Sequence, residues 1–136
     1  MNEWRLREAQ RIAKLGNWQI KERNFDMIWS EEAFRVHGYT TIDTPPRIDE
    51  LIEHFDELDL DDFQRNMELA QRSMHYKEFG DWYVDPLGIR KFLQYRVRYV
   101  RLEEEESYWV GTVQDITELK MMEKEVAGNT SFFETI

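Results

Sequence analysis

The 136-residue sequence contains no cysteine, and this absence excludes several kinds of chemistry. Disulfides, thiolate metal ligands, a cysteine nucleophile and a flavin held through a cysteinyl adduct are all ruled out. The sequence also has no run of about 18 apolar residues and no signal-peptide pattern, so it predicts neither insertion into a membrane nor passage across one. A chain without cysteine is compatible with a reducing compartment, and we expect a cytoplasmic location.

Basic residues are also outnumbered by acidic ones, 18 against 28, which gives a net charge of −10. A surface of this sign repels phosphate backbones, so we do not expect a nucleic-acid partner. Hydrophobic residues make up 41% of the chain and aromatic residues 14%. This composition is typical of a globular protein, and the length predicts one domain with one core.

The pattern of apolar residues changes along the chain. Residues 1–15 predict a helix with Leu6, Ala9 and Ala13 on one face, ended by Gly16. Two short strands follow, within residues 16–22 and 25–30. A helix capped by Ser30, a proline-containing loop, a short helix at 48–55 and a longer helix capped by Asp59 come next. In the last of these, Phe63, Met67, Ala70 and Met74 are expected on one face.

The C-terminal third has the two-residue period of strands. Residues 77–85, 91–101 and 107–115 predict three strands, the first two joined by a turn at 85–88 and the last two by the acidic segment 103–106. We expect Leu93, Tyr95, Val97 and Tyr99 to share one face of the middle strand. The sequence therefore predicts an α+β fold, with an antiparallel sheet and helices packed on one of its faces.

Three motifs in this order resemble those of PAS domains. They are Leu15-Gly16-Asn17-Trp18, the segment WSEEAFRVHG at 29–38, and GTVQDITE at 111–118. The resemblance covers roughly residues 5–120 and implies a five-stranded antiparallel sheet with an N-terminal helix and a C-terminal output helix. It implies a sensor domain at 16–117, a flanking helix at 1–15, an output helix at 118–127, and a tail or the start of a following module at 128–136.

The sequence departs from the family pattern in the predicted third and fourth strands. Gly80 and Trp82 replace a glutamate-x-arginine pair, Pro86-Leu87-Gly88 replaces the usual turn with an aspartate, and Lys91-Phe92 replaces arginine-tryptophan. The fold should tolerate these changes. A ligand preference cannot be carried over from relatives.

The family resemblance implies that Asp115, Ile116 and Thr117 join the last strand to the output helix and transmit the signal. Leu119, Met122 and Val126 recur at three and four residues beyond them. This spacing is typical of a two-helix interface, so we expect a homodimer or a contact with an attached output domain of histidine kinase or diguanylate cyclase type. The alternative is a terminal helix folded back onto the sheet. The chain is expected to be a fragment of a longer bacterial signalling protein.

His37 and a group of aromatic residues are the candidates for a ligand pocket. His37 stands where the family usually has a large apolar residue facing the core, and an imidazole there can ligate haem iron or titrate near neutral pH. A structural histidine with satisfied hydrogen bonds is the more frequent outcome, so we expect no cofactor. The other candidates are Trp18, Trp29, Phe34, Tyr39, Phe55, Tyr95 and Tyr99, which either line a small-molecule pocket or simply fill the core.

No motif for catalysis or metal binding is apparent. The acidic residues 56–62 lack the central glycine and distal glutamate of a calcium loop, and helix capping explains them. Phosphate-binding loops and histidine–carboxylate clusters are missing from the sequence; an enzyme using His37 with a nearby carboxylate is the third alternative. The sequence therefore predicts a non-catalytic sensor that binds a small ligand or a partner, or a ligand-free module that dimerises through Leu6, Ala9 and Ala13 of the N-terminal helix.

Overall fold

A computed structural model describes the backbone of residues 3–102 and 106–134, with side chains up to residue 127. Within these residues five strands form one antiparallel sheet in the order β2-β1-β5-β4-β3. The strands are β1 (Leu15–Lys21), β2 (Met27–Trp29), β3 (Lys77–Val84), β4 (Arg90–Arg101) and β5 (Ser107–Asp115). The helices are α1 (Glu3–Ile12), α2 (Glu31–Val36), α3 (Ile48–Ile52), α4 (Leu60–Arg72) and α5 (Thr117–Glu134). The predicted α+β fold is confirmed.

The core lies between the helices and one face of the sheet. Alternate residues of β4, among them Leu93, Tyr95 and Val97, are buried there, whereas Arg96 and Arg98 are exposed on the opposite face. Helix α4 closes the core with Met67 and Ala70. Its start is held by a capping box in which Asp59 and Asp62 each accept the other's backbone N–H.

Helix α2 lies close against β1, and this contact corrects the predicted role of Gly16. The sequence predicts a helix stop at Gly16, but α1 ends at Ile12, and Lys14 takes the left-handed conformation with φ 52°. Leu15 and Gly16 already belong to β1, paired with Gln114 and Val113. A Cβ at Gly16 would lie 2.5 Å from the Ala33 backbone, so the glycine is required by the approach of α2.

Two other boundaries differ from the predictions. Met74 does not extend the apolar face of α4, because the helix ends at Arg72 and Met74 is 88% exposed. Helix α5 was expected to break at Gly128-Asn129 but continues to Glu134. One glycine costs a helix only about 1 kcal/mol, which neighbouring helix formers can offset. The acidic tip at 103–105 lies outside the described residues.

No helix in the described part of the chain is both long and apolar enough to cross a membrane.

Candidate functional site

A small chamber lies between the inner face of the sheet and helices α3 and α4. Its volume is about 40 Å³, room for roughly three water molecules. Typical ligand pockets measure about 300–1,000 Å³. The lining is apolar and aromatic: Trp18, Ile20, Met27, Trp29, Ile48, Leu51, Ile52, Phe55, Leu58, Phe63, Met67, Phe79 and Tyr95. In this conformation the chamber accepts only a few non-hydrogen atoms.

The chamber brings together half of the predicted pocket residues. Trp18, Trp29, Phe55 and Tyr95 line it. The other four, Phe34, His37, Tyr39 and Tyr99, lie outside its lining. Phe34 and Tyr39 pack against Trp29 with ring centroids 5.2 and 6.0 Å away, and the Tyr99 hydroxyl donates a short hydrogen bond to Glu22.

The imidazole of His37 is fully buried and held on three sides. Its Nδ1 lies 2.7 Å from the carbonyl oxygen of Ala33, and its Nε2 lies 2.6 Å from the Tyr95 hydroxyl. The ring stacks on Trp29 with centroids 4.1 Å apart and an interplanar angle of 10°. Because a carbonyl oxygen can only accept, Nδ1 carries the proton, and Nε2 accepts from Tyr95.

This environment keeps His37 neutral. Burial, the largest effect, lowers its pKa to about 3; the Ala33 carbonyl opposes the shift, and the charge of Lys91 adds to it. Burial also raises the pKa of Tyr95. A haem does not fit this arrangement, because Nε2 already accepts a hydrogen bond and the adjoining chamber is too small for a porphyrin. The two hydrogen-bond partners of the His37 ring in the described chain are thus a carbonyl oxygen and a hydroxyl group, not a carboxylate.

A second cluster forms where β5 ends and α5 begins. The Asp115 carboxylate accepts the backbone N–H of Thr117 at 3.0 Å and a short hydrogen bond from the Thr117 hydroxyl. The Thr117 hydroxyl oxygen in turn accepts the backbone N–H of Phe92 at 3.0 Å. The N–H of Ile116 donates to the Phe92 carbonyl at 3.0 Å. Both backbone groups of Phe92 on β4, its N–H and its carbonyl, are therefore hydrogen-bonded to the start of α5.

The same junction also holds the end of the N-terminal helical segment. The backbone N–H of Asp115 donates to the carbonyl of Lys14 at 3.1 Å, and the Gln114 side chain donates to the carbonyl of Ala13 at 3.1 Å. Lys14 and Glu118 form a loose exposed ion pair at 3.9 Å. Both flanking helices thus meet the sheet at one end of β5.

Cation–π contacts cover the outer face of the sheet beside this junction. Lys120 of α5 lies 4.7 Å from the centre of the Phe92 ring, and Arg90 lies 4.7 Å from the centre of the Trp82 ring. The two rings meet edge to face at 5.3 Å. Trp82 and Phe92 are positions at which the sequence departs from the family pattern, and the structure brings them together.

The predicted interface residues are exposed in the single chain. Leu6 is 48% exposed, and Leu119, Met122 and Val126 are 51%, 61% and 64% exposed. Ala9 is also exposed, and Ala13 lies just beyond the end of α1. Among the described residues, neither α1 nor α5 buries these side chains against the sheet.

Sequence reasoning missed two residues that hold the site together. Lys91 donates to the carbonyl of Val36 at 3.0 Å and lies 3.1 Å from the buried Asp85 carboxylate. Burial alone would raise the pKa of Asp85, but hydrogen bonds from the Ile89 N–H and Lys91 outweigh this effect and lower it. The second residue is Phe92, whose backbone N–H and carbonyl bond to Thr117 and Ile116. A contact made by the backbone does not depend on the residue type. Long-range partners of this kind leave no local signal.

Among the described residues, no group of three or more histidine and carboxylate side chains converges as a metal site would. Asp59 and Asp62 serve the capping box of α4, and Asp56 pairs with Arg90 at 2.7 Å.

The architecture matches solved structures over nearly its whole length, although no family model and no curated protein matches the sequence. A sensory box histidine kinase/response regulator from Burkholderia thailandensis aligns over 97% of this chain and 99% of that one, with a TM-score of 0.68 and 20% identity. A light-oxygen-voltage domain studied with a flavin analogue covers 90% and 97%, with a TM-score of 0.58 and 16% identity.

The N-terminal domain of a diguanylate cyclase with a PAS/PAC sensor, from Marinobacter aquaeolei, covers 78% of this chain and 98% of its own, with a TM-score of 0.55 and 12% identity. Together with the strand order and the helices on one face, these similarities show that the chain has the PAS fold.

Proposed function

We propose that this chain is the sensory domain of a bacterial, cytoplasmic signalling protein. Its core responds to a small ligand or a partner, and the response passes through Asp115, Ile116 and Thr117 to α5. The helix then acts on an output module of histidine kinase or diguanylate cyclase type in a longer chain. The domain itself carries no catalysis, and it works as a homodimer joined through α1 and α5.

The observation that carries the proposal is the hydrogen bonding of Phe92 to both Ile116 and Thr117. Phe92 precedes Leu93 on β4, and two residues further Tyr95 lines the chamber and donates to His37. A shift of β4 caused by a change in the chamber would therefore act directly on the first turn of α5. A ligand alters the output only through different affinities for two arrangements of that helix.

The comparisons support this proposal at the level of fold. Similar structures include a sensory box histidine kinase/response regulator and the sensor domain of a diguanylate cyclase. The exposed apolar residues of α5 support a partner helix beyond the domain, because they have no partner in the sheet.

A second candidate function is a ligand-free dimerisation module. It is favoured by the small size of the chamber, about 40 Å³, and by the exposure of Leu6 on an amphipathic α1 that buries none of its residues. In this case the aromatic residues fill the core, and α1 with the adjoining sheet face carries the function.

Native mass spectrometry of the purified protein, with its ultraviolet–visible spectrum, separates the two candidates. The sensory proposal expects a dimer and a ligand that raises the mass or protects α5 from hydrogen exchange when added. A dimer that no added ligand changes would favour the dimerisation module. A Soret band that is lost in His37→Gln would overturn our conclusion that haem does not fit.

A further inference from the structure

A surface cleft lies beside the buried chamber. A cleft of about 740 Å³ lies between the β1–β2 turn and helices α3 and α4. Ile48, Phe63 and Met67 line both the cleft and the chamber. One layer of side chains therefore separates the two spaces. Methionine is unbranched and flexible, so Met67 is the residue of this layer that can change rotamer most readily.

A strained aromatic residue forms the outer wall of this cleft. Phe25 ends the β1–β2 turn with φ 60°, a left-handed conformation that bulky residues rarely adopt. Its ring stacks on Trp109 at 5.8 Å but is still 54% exposed. Glycine would take this backbone conformation without strain, so the turn alone does not explain a phenylalanine here. Strained residues of this kind cluster at binding sites.

The polar rim of the cleft is acidic. Three carboxylates, from Glu22, Asp49 and Glu68, stand against the single guanidinium of Arg47. Arg47 pairs with Asp49 at 2.9 Å, which leaves the charges of Glu22 and Glu68 as the excess. Glu68 is exposed on α4, and among the described residues it makes no ion pair. Such a rim attracts a cation, and the adjacent aromatic face favours it further.

We propose that the cleft and the chamber form one continuous site for a small primary aliphatic amine. The ammonium group lies at the rim near Glu68 and Glu22, beside Phe25. The alkyl chain passes Phe63 and Met67 and reaches the apolar chamber, which takes its last few carbon atoms. This inference rests on the proposed sensory function, for which it names the class of ligand.

The test uses the 136-residue protein and three probes with the same chain length, n-butylammonium, n-butanol and butyrate. Binding is followed by calorimetry and by the fluorescence of Trp109 and its neighbours. We expect n-butylammonium to bind about two- to fivefold more tightly than n-butanol, the effect of an exposed ion pair, and butyrate to bind least. Affinity should also rise from methylammonium to n-butylammonium as the chain fills the chamber.

Two variants locate the site. Glu68→Gln should reduce the preference for n-butylammonium over n-butanol without weakening n-butanol, whereas Glu125→Gln on α5 should change neither. Phe25→Gly removes the aromatic wall of the cleft, so it should weaken n-butylammonium binding. Because glycine also relieves the strained turn, the unfolding midpoint should not fall. Equal affinity for n-butylammonium and butyrate, or binding unchanged in either cleft variant, would overturn the proposal, as would no binding of any probe.

Failure of this inference can be told apart from failure of the sensory function. If n-butylammonium binds at the cleft but the hydrogen exchange of α5 does not respond, the site stands and the sensory function fails. If no amine binds, yet another ligand changes the exchange of α5, the sensory function stands and the amine site is wrong.

Discussion

Among single side chains, His37 is tied to three elements at once. It caps the C-terminus of α2, bonds through Nε2 to Tyr95 of β4 and stacks on Trp29 of β2. The Tyr83 hydroxyl of β3 donates to its carbonyl oxygen at 2.7 Å. A neutral imidazole with both nitrogens satisfied suits this position, because protonation would add a charge inside the core.

The low pKa of His37 makes folding stability depend on pH. Its pKa is about 3 when folded, against 6.5 for an unperturbed histidine. The unfolded state therefore binds a proton first as the pH falls, and stability present above pH 6.5 is lost on acidification. Each pH unit below 6.5 lowers the free energy of unfolding by about 1.4 kcal/mol, which amounts to roughly 2 kcal/mol at pH 5.

Urea unfolding at pH 7 and pH 5 checks this prediction, with His37→Gln as the matched variant. The loss of unfolding free energy between pH 7 and pH 5 should be smaller in the variant by roughly 2 kcal/mol. Because the variant can fail to fold, the imidazole resonances of the unchanged protein give a second test. A His37 signal that titrates between pH 8 and pH 5 would contradict the account.

At the scale of elements, the contact of α2 with β1 depends on Gly16. An added Cβ would lie 2.5 Å from backbone atoms of Ala33, and backbone cannot move aside as a flexible side chain can. We expect Gly16→Ala to lower the free energy of unfolding by about 1–3 kcal/mol, the range for overpacking. Urea denaturation measures this change.

Asn17→Ala is the control for Gly16→Ala, because Asn17 is the next residue on β1 and is exposed. It should change the free energy of unfolding by no more than about 0.5 kcal/mol. Equal effects of the two substitutions would show that the close approach of α2 does not limit stability.

The elements themselves were largely predictable from local patterns. The predicted third and fifth strands match β3 and β5 to within one residue, and Ser30 and Asp59 cap the helices as predicted. The errors fall where local and tertiary effects compete. The local pattern predicts a helix stop at Gly16, whereas the glycine is required by the backbone of Ala33, 17 residues away in sequence.

The candidate site was less predictable, for the same reason. Aromatic residues at core positions could be identified, but which of them line a cavity depends on how α3 and α4 pack. The partner of His37 Nε2 is 58 residues away in sequence. Phe92 joins α5 through its backbone, which no residue pattern reveals.

At the scale of the whole molecule, β4 and β5 together connect the core with both flanking helices. The inward-facing Tyr95 of β4 lines the chamber, and Phe92 bonds to the first turn of α5. The carboxylate of Asp115 holds the Thr117 hydroxyl that completes this link, and the Asp115 backbone bonds to Lys14 beyond α1. The domain therefore has one junction at which a change in the core can reach both flanking helices.

Amide hydrogen exchange of α5 in Asp115→Ala, compared with the unchanged chain, tests this account most directly. Asp115→Ala removes the acceptor for Thr117 but leaves the core intact, so unfolding should stay cooperative. We expect faster exchange in the first turns of α5, with β4 residues around Tyr95 unchanged, and no such effect in the exposed turn variant Asp26→Ala. Exchange in α5 that is the same in Asp115→Ala and the unchanged chain would contradict the proposed relay.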